Sequence, residues 1–236
     1  MMEPITLSQL LADPAREEPA IIDEASAVTI SYRALAEQVE HKAQALRGAG
    51  LQSGTAVALM LPNGAELLIL CLALARAGLI AAPLNPAYKA SEIRGFIADV
   101  DARAIVTYER NAVVAAAAAG LAVRIWSSSI DPAGVVRLAG LPAAPSGALP
   151  APGHEDVALF LHTSGTDGPA KVVPLTHANV VLSARHIAAH YALASEDRTL
   201  AVLPLFHGHG LIGAALSTLA SGGTAIIAPR FSASHF

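Results

Sequence analysis

Residues 157–179 concentrate the side chains of this chain whose types and spacing could do chemistry. Thr163, Ser164 and Thr166 alternate there with Gly165 and Gly168, and Lys171 closes the run. Small hydroxyl residues and glycines leave backbone N–H groups uncovered, so a polyanion can approach closely; the lysine adds a point charge. The chemistry that such a segment suits is the holding of phosphate. An ordinary Gly/Ser/Thr turn between two strands has the same composition, so spacing has to decide. The spacing is not G-x-x-x-x-G-K-[ST], which excludes a Walker P-loop.

Other reactive types carry less. His186 and His190 stand four apart on a predicted helix, a spacing that can bind metal. No acidic third ligand and no H-E-x-x-H glutamate lies beside them, so no metal site is assigned. No G-x-S-x-G surrounds any serine, which removes the usual hydrolase elbow. The single Cys71 sits in an apolar stretch and cannot form an internal disulfide. It reads as a buried, inert thiol, which fits a reducing, cytoplasmic setting.

These residues need a scaffold, and the composition supplies one. The 236 residues are 53% hydrophobic and 14% charged, enough apolar material for a large core in one or two domains. A net charge of −4 leaves no basic footprint for nucleic acid or an anionic membrane surface. The N-terminus lacks the basic and apolar regions of a secretory signal. The most apolar stretch, residues 55–84, is broken by Pro62-Asn63-Gly64, Glu66, Arg76, Gly78 and Pro83. No piece of it reaches the roughly 18–20 residues that a membrane span needs, so no span is expected.

Strand-like and helix-like segments alternate, which predicts an α/β fold of layered sheets flanked by helices. After Ser31, a predicted N-cap, Leu35, Val39 and Leu46 recur at helical spacing as far as Gly48 and Gly50. Residues 55–61 and 79–84 read as buried strands. Between them Asn63 and Glu66 resemble a capping box, opening a helix that Gly78 ends. A helix over 91–100 and a strand over 104–107 follow. Residues 127–153, rich in proline and glycine, predict an irregular surface connection into the phosphate loop. Residues 157–161 read as a strand, Thr176 caps a helix to about Tyr191, and 200–205 reads as a strand. A helix over 208–220 and a strand over 224–228 complete the prediction.

The loop at 163–172 resembles the signature T-S-G-T-T-G-x-P-K-G of the adenylate-forming enzymes. Thr163, Ser164, Gly165, Thr166, Gly168 and Lys171 match it, whereas Asp167, Ala170 and Val172 depart. Val57-Ala-Leu-Met-Leu-Pro-Asn63 is similar to the family's strand-and-turn V-A-[IL]-x-[LF]-P-N. Ala77-Gly78 through Pro83-Leu-Asn-Pro86 and Leu203-Pro-Leu-Phe-His207 with Gly210 resemble two further family segments, in the family's order. Leu159-Phe-Leu-His-Thr-Ser-Gly165, with Val173-Pro-Leu-Thr176, His207-Gly-His-Gly210 and Arg230-Phe-Ser-Ala-Ser234, is most similar to the oxalate–CoA ligase branch of the acyl-CoA synthetases.

The resemblance implies that Thr163, Ser164, Gly165, Thr166, Gly168 and Lys171 contact the phosphates of ATP, and that His207 stands near the acyl carboxylate. It implies ATP, Mg²⁺ and CoA as cofactors and co-substrates, and a small-molecule carboxylate as substrate. Residues 1–236 would be the N-terminal part of the AMP-binding domain. Tyrosine is never followed by glycine here and T-G-D does not occur, so the family's downstream segments and C-terminal lid are not expected. An unpaired apolar edge would then favour self-association. The alternative reading is a non-catalytic α/β binding protein.

Asp167 opposes phosphate. A carboxylate about 6 Å from a phosphate charge, at an effective dielectric of about 20, costs roughly 2–3 kcal/mol before screening. Asp167→Thr should therefore tighten the binding of ATP or pyrophosphate, which titration calorimetry measures directly.

Overall fold

The computed structural model describes residues 5–11, 14–141, 151–163 and 171–231. A 3-10 turn at Leu7–Gln9 precedes a hairpin of β1 (Pro19–Asp23) and β2 (Val28–Ser31), which runs into α1 (Tyr32–Gly48). Ser31 caps α1 by accepting a hydrogen bond from the Ala34 amide at 3.2 Å. Three strand–helix units follow: β3 (Ala56–Met60) with α2 (Ala65–Arg76), β4 (Ile80–Pro83) with α3 (Ala90–Asp99), and β5 (Ala104–Thr107) with α4 (Ala112–Ala118). Then come β6 (Arg124–Ile130), β7 (Val136–Ala139), β8 (Val157–His162), β9 (Val172–Thr176) and α5 (His177–His190). Beyond β10 (Arg198–Ala201) lie a π-helix (His209–Leu216), α6 (Ser217–Ser221) and β11 (Thr224–Ile227).

Among the described residues the strands form two sheets, ordered β10-β11-β1-β2 and β7-β6-β5-β3-β4-β8-β9. Pairing is parallel except in the β1–β2, β6–β7 and β8–β9 hairpins. The layered α/β class follows, with helices against both faces of the larger sheet. Helix α2 touches β1 of one sheet and β4, β6 and β8 of the other. It therefore lies between them, and this explains why Leu67 to Ala75 are all buried: no face of the helix meets water. The far face of the larger sheet carries a second cluster built from Ile93, Phe96 and Ile97 of α3 and Val114 of α4.

Several expectations change in detail. The capping box at Asn63 and Glu66 does not form, because α2 is capped from another strand. Asp23, at the end of β1 and only 3% exposed, accepts the Ala65 amide on Oδ2 and the Ala25 amide on Oδ1, each at 3.0 Å. Glu66 lies near Ser128 of β6 instead; burial pushes its carboxyl pKa upward against that neighbour.

The irregular connection expected over 127–153 is regular over its first part. Residues 127–130 belong to β6, and β7 pairs with it antiparallel. Asp131 shapes the turn between them by accepting from the Ala133 and Val135 amides. Gln38 of α1 then holds the turn, donating to Gly134 O at 2.9 Å and accepting from the Val136 amide at 2.8 Å. Residues 142–150 of that stretch lie outside the described residues. The expected helix at 208–220 is a π-helix followed by α6, and the strand expected at 200–205 ends at Ala201.

If Asp23 holds α2 as described, Asp23→Ala should cost about 1–2 kcal/mol. The loss would register as a lower denaturant midpoint with an unchanged m-value. Asp23→Asn, which keeps an acceptor for the Ala65 amide, should lose less.

Candidate functional site

The segment expected to hold phosphate is bounded by two paired strands. His162 is the last residue of β8 and lies opposite Val172 of β9. One step further, the Thr163 amide donates to Lys171 O at 3.0 Å and the Lys171 amide donates to Thr163 Oγ1 at 3.1 Å. These bonds close the base of the loop. Both Thr163 and Lys171 are exposed there, and Lys171 forms no ion pair with any described residue. Ser164, Gly165, Thr166, Gly168, and with them Asp167 and Ala170, lie outside the described residues.

The loop leaves the C-terminal end of β8, which runs parallel to β4. The turns after β3 and β4 emerge at that same end of the sheet. In open α/β sheets this is the end where ligands bind.

His207 is brought to the same end by a tight turn. Its amide donates to Pro204 O at 3.0 Å, and its carbonyl accepts from the Leu211 amide at 2.9 Å as the π-helix begins. Gly210 is required here because a Cβ would run into the carbonyl oxygens of Leu203 and Pro204. That packing gives a steric reason for the glycine three residues after the histidine. Gly208 faces β8 so closely that a Cβ on it would stand 3.2 Å from Leu161 Cδ1. The His207 turn thus abuts the strand that leads into the phosphate loop. The His207 ring is exposed and leans on Phe206 at 4.5 Å; His209 is exposed as well.

Asn63 was expected only as a helix cap. Its Oδ1 accepts from the Leu205 amide at 2.8 Å and its Nδ2 donates to Ala228 O at 2.6 Å. The side chain joins the end of β3 to the His207 turn and to the end of β11. The P-N step after a buried strand was visible in the sequence, but the partners lie more than 140 positions away.

Two further histidines stand at opposite ends of the β8–β9 pair, His162 half-buried at the loop end and His177 buried at the other. The His162 ring stacks on Phe96 at 3.9 Å, and neither ring nitrogen finds a hydrogen-bond partner. Burial holds its pKa below the ordinary value, against the pull of Asp99. His177, at the start of α5, is fully buried, and its Nδ1 accepts from the Leu7 amide at 3.1 Å. The imidazole is therefore neutral with its proton on Nε2, and burial lowers its pKa despite Asp156 nearby.

His186 and His190 are exposed on α5. Among the described residues no group of three or more His, Cys, Asp or Glu is placed to hold a metal ion. Cys71 is buried, which pushes its thiol pKa up to about 12. No helix among the described residues is long and apolar enough to cross a membrane.

A mostly parallel sheet, covered by helices on both faces, defines a layered α/β domain. The chain belongs to the AMP-binding enzyme family, which it matches over residues 11–236. It is 38% identical to an oxalate–CoA ligase of Arabidopsis thaliana, over the whole of this chain and 48% of that protein. It is 34% identical to a sulfoacetate–CoA ligase of Cupriavidus necator, over 98% of this chain and 46% of that one. ATP-bound MatB from Rhodopseudomonas palustris superposes with a TM-score of 0.82 at 31% identity, covering 97% of this chain and 46% of MatB. The chain thus spans about half the length of the relatives it matches.

Both buried histidines favour the folded state while neutral. Their contribution is fully present above the ordinary histidine pKa near 6.5 and is lost as pH falls through their lower folded values. Wild type should lose melting temperature between about pH 7.5 and about pH 5.5, and His177→Gln should lose less over that interval.

Proposed function

We propose that this chain is the N-terminal part of an AMP-forming acyl-CoA synthetase, and that it does not complete the reaction by itself. In the whole enzyme a substrate carboxylate oxygen would attack the α-phosphorus of ATP. The bond to the bridging oxygen breaks, pyrophosphate leaves, and an acyl-adenylate forms. The CoA thiol, giving up its proton, would then attack the acyl carbon; the acyl–oxygen bond breaks and AMP leaves.

The observation that carries this reading is the closed base of the loop beside the His207 turn. In the proposed roles, Thr163, Ser164, Gly165, Thr166, Gly168 and Lys171 hold the phosphates. They stabilise charge on departing pyrophosphate by position and electrostatics, without moving a proton. His207 would orient the acyl carboxylate. Mg²⁺ would accompany the ATP phosphates and neutralise part of their charge, and no step is assigned to it.

For substrate we propose a short dianionic carboxylate. Oxalate and sulfoacetate, the substrates in the names of two relatives, each place two anionic groups on a two-carbon frame. Exposed His209 would meet the second group. A lone buried thiol suits action in the cytoplasm. The edge expected to be open, at 224–228, is paired on both sides. The edge strand is β10, and Leu200 within it and Leu203 just beyond are exposed, which supports self-association of the chain when it stands alone.

Losing a charge-assisted phosphate contact costs about 1.5–3 kcal/mol. Lys171→Ala should therefore weaken ATP binding by roughly ten- to a hundredfold in calorimetry. The unaltered chain should show no oxalate-dependent exchange of pyrophosphate into ATP. Binding that ignores Lys171 would remove the phosphate-loop assignment, and robust exchange by the pure chain would refute the claim that it is incomplete.

A further inference from the structure

We propose that Asn63 is a positioning residue that sets where His207 stands against the phosphate loop. The inference rests on the reading of His207 given above and extends it to a residue outside the ligand-binding set. The geometry is specific. Asn63 sits at the mouth of β3 in the larger sheet, two residues before α2 begins. Its amide group uses one acceptor and one donor on two separate backbone segments.

The Leu205 amide, bound at 2.8 Å, lies within the turn whose carbonyls at Leu203 and Pro204 receive Gly210. The same turn holds the His207 amide through Pro204 O. Gly208 then meets Leu161, two residues ahead of Thr163. The second bond, to Ala228 O, fixes the end of β11 in the smaller sheet. Asn63 is thus the side chain through which both sheets and the His207 turn share one reference point.

The chemistry also explains why asparagine suits the position. Aspartate would keep the acceptor for the Leu205 amide but set a carboxylate oxygen against the Ala228 carbonyl. Alanine would leave both backbone groups without their partner, one N–H and one C=O.

The test is nuclear magnetic resonance on the 236-residue chain, which needs no catalytic turnover. In Asn63→Ala the Leu205 amide should exchange with solvent about tenfold faster or more. The His207 ring resonances should shift, and the contact between the Leu161 methyls and Gly208 should weaken. Asn63→Asp should restore most of the Leu205 protection and bring the His207 resonances back toward wild type. Asp131→Ala serves as the structural control. It removes the side chain that shapes the β6–β7 turn by accepting from the Ala133 and Val135 amides and from Arg137, none of them in β3 or the His207 turn. It should lower stability while leaving the His207 signals in place.

The proposal is overturned if Asn63→Ala folds with Leu205 exchange and His207 resonances unchanged, or if Asp131→Ala moves them equally. Should Asn63→Ala fail to fold, the wild-type chain still decides. A scalar coupling across the hydrogen bond from the Leu205 nitrogen to the Asn63 side-chain carbonyl is expected, and its absence would overturn the assignment. If the turn moves as described while oxalate and ATP affinities stay constant, the positioning role stands and the proposed part played by His207 falls.

Discussion

Everything in this structure is arranged around a helix that has no wet side. Helix α2 is apolar on every face and lies between two sheets, so its first turn must satisfy backbone amides in a medium from which water is largely excluded. The Asp23 carboxylate meets that demand from the end of β1, and its negative charge suits the positive end of the helix dipole. At the far end the helix's own Arg76 sets a positive charge by the negative pole and pairs with Glu40 of α1 at 2.9 Å. Because both ends are tied to neighbouring elements, α2 cannot slide along its axis without breaking these polar contacts. The two sheets inherit that fixed register.

A fixed register matters because the candidate site is not local in sequence. Its parts come from the mouth of β3, the end of β8, the closed base of the loop and the turn before the π-helix. Each segment is short, and none could hold its own place against solvent. Two kinds of contact do the holding. One is hydrogen bonding at the loop base, where the Thr163 amide and hydroxyl both bond the Lys171 backbone. The other is close steric approach, as where Gly210 lies against the Leu203 and Pro204 carbonyls.

What could be read from the residue order depended on how far away each partner lay. Ser31 and Thr176 were legible as helix caps because their acceptor atoms serve amides three residues on. The strands near residues 57, 81 and 105 were legible as short apolar runs. The β6–β7 hairpin was not, since Asp131 and Gly134 look like loop composition until Gln38, some ninety positions earlier, closes on the turn. Strand β9 was hidden by Pro174, which is tolerated because β9 lies at the edge of its sheet. Asn63 was misjudged for the same reason in its strongest form: a plausible local partner, Glu66, masked two distant ones. In the site, residue types and family spacing named the loop members and His207. Their neighbourhood came from packing of Gly208 on Leu161, which no pattern along the chain encodes.

The parallel pairing of β1 with β11 has a consequence in time. Thr224 reaches back to Pro19 across 205 positions, and Ile21, Ile22 and Asp23 pair with Ala225, Ile226 and Ile227. A ribosome adding about 5–20 residues per second needs roughly 10–40 s to make the chain between them. Through that interval β1 has β2 on one side and nothing on the other, while Ile21 and Ala20, fully buried at the end, still face water. Helix α2 packs on α1, β1, β4, β6 and β8, all of which are made before β11. What waits is the open edge of β1, and until β11 arrives that edge is where a chaperone or an unwanted neighbour has its opportunity.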